Sequence, residues 1–180
     1  CQLGLAPSTS TGPLGSGASV TVPKRVAIDA FVTTASAGVS HSVVITGKGA
    51  LWMCGEGSLG LLGLGVTDNR YVLTAVPSIG NAVVLAAGYS CTVVIDADGA
   101  VWISGKLRGF RGGPSSTTFT RVQYSDTLSL LPVCCGVSCT GYHAVVWTAE
   151  GSLFTWGEGE KGCLGHGSNE DIDAPRQVQA

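Results

Sequence analysis

Hydrophobic positions in this chain occur in short runs rich in β-branched side chains, and glycine-containing turns separate the runs. Runs of this length are typical of strands. A helix of ordinary length needs apolar residues repeated at helical spacing over a longer segment, which this chain does not show. Residues 42–46 and 50–54 lie on either side of a glycine turn at 47–49. The pattern predicts an antiparallel hairpin, with glycine supplying the positive φ that the turn needs.

The same order of strand, glycine turn and strand returns about every fifty residues, a spacing typical of propeller blades. Gly49, Gly99 and Gly151 occupy the turns, and a glycine-rich loop follows each hairpin. We therefore divide the chain into repeats at 26–80, 81–130 (with a degenerate loop) and 131–180, the last including the start of a further repeat. Residues 1–25 contain the tail of a preceding repeat and a loop rich in Ser, Thr, Gly and Pro.

Composition narrows the classes of protein. A hydrophobic content of 44% with only 12% charged residues excludes a disordered chain. No apolar run is long enough to span a membrane, and no leader peptide is visible. The net charge is −2 and the basic residues are scattered, so no direct nucleic-acid binding is predicted. Seven cysteines without framework spacing leave at least one free thiol. A reducing compartment is expected, so the protein is predicted to be intracellular, either cytoplasmic or nuclear.

The repeats resemble those of the regulator of chromosome condensation family. The pattern is met in the first repeat by Gly38, His41, Ser42, Gly49, Leu51, Trp52, Gly55, Gly57, Gly60, Leu62, Gly63 and Pro77, and in the third by His143, Gly151, Leu153, Phe154, Gly157, Gly159, Gly162, Leu164, Gly165 and Pro175. The resemblance implies an all-β propeller with blades of four antiparallel strands, usually seven. This chain supplies about three blades, so the ring is expected to be completed by further sequence or by another chain.

Two motifs suggest ligand chemistry, but their context argues against it. The glycines at 55, 57 and 60 match a dinucleotide fingerprint, which requires a following helix; a leucine and glycine segment follows instead, so we expect a blade loop. Cys134, Cys135, Cys139 and His143 lack the spacing of a zinc knuckle, and adjacent strand residues point to opposite faces. We therefore predict no metal and no cofactor.

Histidines and aromatic residues are assigned to structure. His41 and His143 recur at one position of the repeat, which favours a hydrogen bond that ties strand to loop over a catalytic base, and His166 is expected to be a loop residue. The five aromatic residues at 52, 102, 147, 154 and 156 are predicted to pack in the core. Cys54, Cys91 and Cys163 are expected to act as small buried hydrophobes.

The second repeat departs from the pattern in its loop. Lys106, Arg108, Phe110 and Arg111 replace the glycines and leucines of the other repeats. Basic residues around an aromatic suit a contact with a protein partner, whereas sequence drift in a solvated loop is the alternative. The acidic group at 170, 171 and 173 is expected to be a solvated edge.

The repeats contain no convergent acid, base or nucleophile, so no catalytic residue is predicted and the protein is not expected to be an enzyme. The first hypothesis is a non-catalytic protein-interaction module within a larger protein of this family. The resemblance also implies an alternative, a guanine-nucleotide exchange factor for a small Ran-like GTPase. A third hypothesis places the propeller in a large ligase or ciliary scaffold, since fold alone does not settle function.

Overall fold

The computed structural model describes residues 22–107, 116–124 and 130–179. Within these ranges, twelve strands form three antiparallel sheets of four strands each, which we number as blades 1 to 3 in chain order. Blade 1 contains β1 (Val32–Ala37), β2 (His41–Thr46), β3 (Leu51–Gly55) and β4 (Arg70–Ala75). Blade 2 contains β5 (Ala82–Ala87), β6 (Cys91–Asp96), β7 (Val101–Gly105) and β8 (Ser116–Arg121). Blade 3 contains β9 (Cys134–Cys139), β10 (His143–Thr148), β11 (Leu153–Gly157) and β12 (Ile172–Gln177).

The central hairpin has the same register in every blade. Val44 lies opposite Trp52, Val94 opposite Trp102, and Val146 opposite Phe154. The turn residues Gly49, Gly99 and Gly151 have φ values of 73°, 76° and 88°. A positive φ is strained for residues with a Cβ, so the predicted reason for glycine at these turns is confirmed. The all-β propeller architecture predicted from the sequence is likewise confirmed.

Neighbouring blades stack through two hydrophobic cores. Their first strands, β1, β5 and β9, contact one another in succession. The core between blades 1 and 2 contains Val43, Ile45, Leu51, Met53, Leu62, Val76, Ile79, Ala82, Leu85, Val94 and Phe119. The core between blades 2 and 3 contains Cys91, Val93, Ile95, Val101, Leu107, Val122, Cys134, Val137, Ala144, Val146, Phe154 and Trp156. Strand β6 thus contributes to both cores, which explains its continuous apolar run.

One aromatic prediction is wrong. Trp147 was expected in the core, but its side chain is 39% exposed, whereas Trp156 is 1% exposed. Trp147 follows Val146 in β10, and successive strand residues point to opposite faces. Val146 faces blade 2, so Trp147 lies on the far face, where its ring covers Gly136 of β9. In the parts of the chain that the structure describes, no helix is long and apolar enough to cross a membrane.

Candidate protein-interaction face

At one end of the blades, a short turn joins the first two strands and a long loop follows the third. The long loop begins in each blade with the same backbone hydrogen bond. The amides of Glu56, Lys106 and Glu158 donate to the carbonyls of Ser40, Ser90 and Tyr142, at 2.9, 2.8 and 2.8 Å. The turns of all three blades and the described parts of their long loops therefore share one surface. We call this surface, formed by residues 38–40, 56–69, 88–90, 106–107, 140–142 and 158–171, the loop face.

The glycines of the fingerprint motif build this loop. Gly55 has a φ of 121°, and Gly57 leaves no room for a side chain because the backbone of Asp68 lies against it. The Gly57 amide donates to Asn69 Oδ1 at 3.0 Å. A dinucleotide site would need free amides at a helix N-terminus, but only a three-residue 3₁₀ turn, Ser58–Gly60, follows here. The amide is instead satisfied by the loop's own side chain.

Blade 3 repeats this contact with a carboxylate. The Gly159 amide donates to Asp171 Oδ1 at 3.0 Å. Asp171 is exposed, as expected for part of a solvated acidic edge, and its carboxylate also fastens the loop. An Asn or Asp at the same distance after each glycine pair was the signal in the sequence that could have identified it.

Apolar side chains project from the loop face. Val39 is 61% exposed and Tyr89 55%, and Leu59 and Tyr142 are also exposed. Tyr89 belongs to the turn of blade 2 and packs its Cβ against Gly141 in the turn of blade 3. This contact holds the base of the tyrosine while its ring remains accessible. Aromatic side chains anchored in this way are enriched at protein-binding surfaces.

A cavity of about 180 Å³ lies beside Tyr89, between the loops of blades 1 and 2. Glu56 lines it, and hydrogen bonds from Ser58 and Ser40 are the main reason that the pKa of this carboxyl is lowered. Ser58 Oγ donates to Glu56 Oε1 at 2.5 Å. Glu56 is therefore ionised at neutral pH, and it gives the apolar patch a charged rim.

Lys106 is the one predicted contact residue that the structure describes, and it lies at this patch. Its side chain is exposed, and its backbone carbonyl accepts a hydrogen bond from Ser90 Oγ at 2.6 Å. Ser90 lines the cavity together with Glu56. The other three predicted residues, Arg108, Phe110 and Arg111, lie outside the described residues.

His41 is wholly buried between blades 1 and 2. Its Nε2 atom is 2.8 Å from Thr92 Oγ1, across the boundary between the blades. Desolvation is the main influence on this imidazole and lowers its pKa to about 4, against a smaller opposing effect of Glu56. A neutral, inaccessible ring suits structure rather than catalysis. The predicted hydrogen bond is present, but it ties blade to blade instead of strand to loop.

The other histidines make local contacts. His143 Nδ1 is 3.2 Å from Thr140 Oγ1 in its own turn. His166 was expected to be only a loop residue, yet its Nε2 lies 2.9 Å from Thr155 Oγ1 and fixes the loop to β11. Each histidine thus has an identified bonding partner.

The cysteines do not assemble a metal centre. Cys134 is buried and Cys135 exposed, which agrees with their predicted opposite orientations. Across the described ranges, no group of three or more His, Cys, Asp or Glu residues is placed to hold a metal ion. The prediction for Cys163 is wrong: it is exposed, because it belongs to the long loop of blade 3 and not to a strand, and its thiol donates to the Glu158 carbonyl.

Comparison with known proteins identifies the repeats. The family model of the regulator of chromosome condensation (RCC1) repeat matches residues 150–180. The human E3 ubiquitin-protein ligase HERC2 is 31% identical over 157 residues, which are 82% of this chain and 3% of the ligase. The regulator of chromosome condensation of Drosophila melanogaster is 30% identical over 168 residues, 89% of this chain and 30% of that protein. The chain belongs to the regulator of chromosome condensation repeat family.

A solved structure of this family has the same fold. In the crystal structure of Kap60 bound to yeast RCC1 (Prp20), the matching chain has a TM-score of 0.69 and 18% sequence identity. The match covers 83% of this chain and 37% of that one. The chain spans less than a third of the length of each of the two curated relatives named above. Its three blades correspond to part of a regulator of chromosome condensation propeller.

Proposed function

We propose that this chain is a non-catalytic protein-interaction module that binds its partner through the loop face. The observation that carries the proposal is the accessible Tyr89 ring, which is anchored at its base and rimmed by Glu56 and Lys106. An aromatic centre with a charged rim is the usual composition of a protein-binding site. The family's propeller fold supports the same class of function.

We add the basic segment of blade 2 to the proposed contact. Lys106 lies next to the patch, and the following segment carries Arg108, Phe110 and Arg111 in the sequence. We include these four residues in the proposed contact, with the arginines and lysine directed at acidic groups of the partner. We also propose an intracellular location, cytoplasmic or nuclear, since none of the six cysteines within the described residues forms a disulfide.

The test is a quantitative affinity capture with the wild-type chain and two variants. Tyr89→Ala removes the proposed anchor, and Val133→Ser is the control, because Val133 is exposed beside the turn residue Gly99 at the opposite end of the blades. We expect Tyr89→Ala to recover at least tenfold less of the partner than the wild-type chain, the usual effect of removing a central aromatic side chain. Val133→Ser should recover as much of the partner as the wild-type chain. Equal recovery by all three proteins would contradict the proposal.

A second candidate function is guanine-nucleotide exchange on a small Ran-like GTPase. It is favoured by the similarity to the Drosophila regulator of chromosome condensation and to yeast Prp20p, whose structure was described together with its binding to Gsp1p and histones. An exchange factor acts by opening the nucleotide site and needs no reactive side chain of its own. Release of labelled GDP from Ran and a panel of related GTPases tests it. If this chain accelerates none of them, the first proposal stands without exchange activity.

A further inference from the structure

Two cysteines lie at the boundary between blades 2 and 3. Cys91 is the first residue of β6 and is wholly buried, and Cys139 is the last residue of β9. Both side chains pack in the core between these two blades, Cys91 fully and Cys139 partly buried. Cys139 pairs with Ala144 of β10, whose side chain is buried in the core shared with blade 2. Cross-strand partners project to the same face, so Cys139 is directed at blade 2.

The backbone brings the blades unusually close at this point. Gly88 lies against the carbonyl of Thr140, with no room for a side chain between them. The Cys91 thiol lies 3.8 Å from the same carbonyl. At the equivalent place between blades 1 and 2, His41 bridges the gap by its hydrogen bond to Thr92. Position 91 has a cysteine, which is shorter than histidine, and Cys139 packs against the core that contains it.

We propose that Cys91 and Cys139 form a reversible disulfide under oxidising conditions and that this bond joins blade 2 covalently to blade 3. The feature that carries the proposal is the placement of two cysteines from different blades in one core, where the Cys91 thiol lies 3.8 Å from the carbonyl of Thr140, the residue after Cys139. A disulfide needs two cysteines whose side chains already face each other, which this boundary provides. The proposal does not depend on the partner bound at the loop face.

The two thiols have different tasks in the reaction. Cys139 is partly exposed and meets the oxidant, a hydroperoxide, first: its sulfur takes one oxygen, giving a sulfenic acid and releasing water or an alcohol. The Cys91 sulfur then attacks the Cys139 sulfur, the sulfur–oxygen bond breaks, and the Cys91 proton leaves with the hydroxide as water. Two thiols are oxidised and one peroxide is reduced. The hydrogen bond with Cys139, followed by burial, raises the pKa of Cys91, so Cys91 acts only as the second, resolving thiol.

The experiment treats the reduced 180-residue chain with hydrogen peroxide, blocks remaining thiols with N-ethylmaleimide and maps the peptides by mass spectrometry. Three variants accompany the wild type: Cys91→Ser, Cys139→Ser and the control Cys135→Ser. Cys135 is exposed on the same strand as Cys139 but lies outside the core shared with blade 2. We expect a cross-linked pair of peptides, lighter by two hydrogens, in wild type and Cys135→Ser, and none in the other two variants.

Urea unfolding supplies an independent measurement. A bond that closes a loop of one repeat length should lower the unfolding equilibrium constant about a hundred- to a thousandfold, and dithiothreitol should reverse the effect. If Cys91→Ser fails to fold, Cys139→Ser, which changes a less buried side chain, still decides the result. Separate alkylation of both cysteines in peroxide-treated wild type, or a cross-link that survives Cys139→Ser, would overturn the proposal.

Discussion

At the scale of single residues, the most informative side chain is His41, which is wholly buried yet has only one bonded ring nitrogen. Nε2 contacts Thr92, and Nδ1 has no hydrogen-bond partner within the part of the chain that the structure describes. One unsatisfied nitrogen is tolerable in a neutral imidazole, whereas a proton on it would bury an unpaired charge. The free energy of unfolding should therefore depend on the protonation of this residue.

We predict that the protein loses stability as the pH falls from about 6.5 to about 4. The pKa of His41 is about 4 in the folded state, and its ordinary value of 6.5 applies to the unfolded chain. Between these pH values the unfolded state binds a proton that the folded state does not, so protonation favours unfolding. The loss of stability is absent above pH 6.5 and complete below pH 4. His41 alone should contribute about 3 kcal/mol, from about 1.4 kcal/mol per pKa unit.

The measurement is the free energy of unfolding in urea at intervals across this pH range, for wild type and His41→Gln. The variant should be less stable at pH 7 but should show a shallower pH dependence, because the titrating group is gone. NMR titration of the imidazole identifies the source directly. A His41 resonance that titrates near 6.5 in the folded protein would contradict the explanation.

A second residue-scale prediction concerns Trp52, whose buried indole N–H has no acceptor among the described residues. The corresponding Trp102 Nε1 donates to Asp96 Oδ2 at 2.8 Å, and Thr46 occupies the position of Asp96 in blade 1. Both residues accept the amide that closes their turn, from Ala50 and Ala100. Thr46→Asp should therefore supply the missing acceptor and raise the free energy of unfolding by about 1 kcal/mol at pH 7.

The matched control is Thr148→Asp in blade 3. Thr148 also closes its turn by accepting the amide of Ser152, but the residue at the tryptophan position is Phe154, which has no N–H. Thr46 and Thr148 are both buried, so the cost of burying a carboxylate applies to both variants. Only Thr46→Asp gains an indole partner, so Thr148→Asp should be the less stable of the two relative to its parent residue. Thermal or urea unfolding of both variants decides the matter, and an equal effect of the two substitutions would show that the indole is not involved.

At the scale of elements, the close contact between the turns of adjacent blades depends on Gly88. A Cβ at this position would overlap the Thr140 carbonyl, a backbone atom that cannot rotate away. We predict that Gly88→Ala lowers the free energy of unfolding by about 1–3 kcal/mol, as overpacking does elsewhere.

Gly80→Ala provides the control for this prediction. Gly80 lies in the connection between blades 1 and 2, and a Cβ there would meet nothing within 4 Å. Urea unfolding should show little or no loss for this variant. If both alanines proved neutral, the blades would have room to separate, and the close backbone contact would not be a constraint on the fold.

The sequence predicts features that depend on neighbouring residues better than features that depend on contacts between strands or blades. The hairpin at Gly49 was predictable because the turn, the register and the glycine requirement are all local. The orientation of Trp147 was not, because β10 has apolar residues on both faces, so its sequence lacks the alternation of polar and apolar residues that would mark the buried face. The same holds for His41 and Thr92: their repeat position predicts a bond, but only the stacked blades show which residue receives it.

At the scale of the whole molecule, the two cores are separate and blade 2 contributes to both. Stability in such an array is the sum of blade and boundary contributions. Met53 is wholly buried in the core between blades 1 and 2, so Met53→Ala should cost about 2–5 kcal/mol there. We predict that hydrogen exchange in this variant accelerates most in β2 and β3 and least in β10 and β11.

Phe154→Ala is the reciprocal variant, since Phe154 lies in the core between blades 2 and 3. Its exchange should accelerate most in β10 and β11 and least in β2 and β3. Exchange measured by mass spectrometry at peptide resolution separates these outcomes. A uniform acceleration in both variants would mean that the three blades open only together, as one cooperative unit.

The hydrogen bond at the root of each long loop has a consequence for how such a protein acquires new partners. Glu56, Lys106 and Glu158 are held there by backbone atoms, so this contact is indifferent to the side chains that follow. The sheet therefore supports the loop without depending on the loop's sequence. Substitution or lengthening of one loop should leave the sheets of the neighbouring blades in place. The loop of each blade is therefore open to change independently of the others.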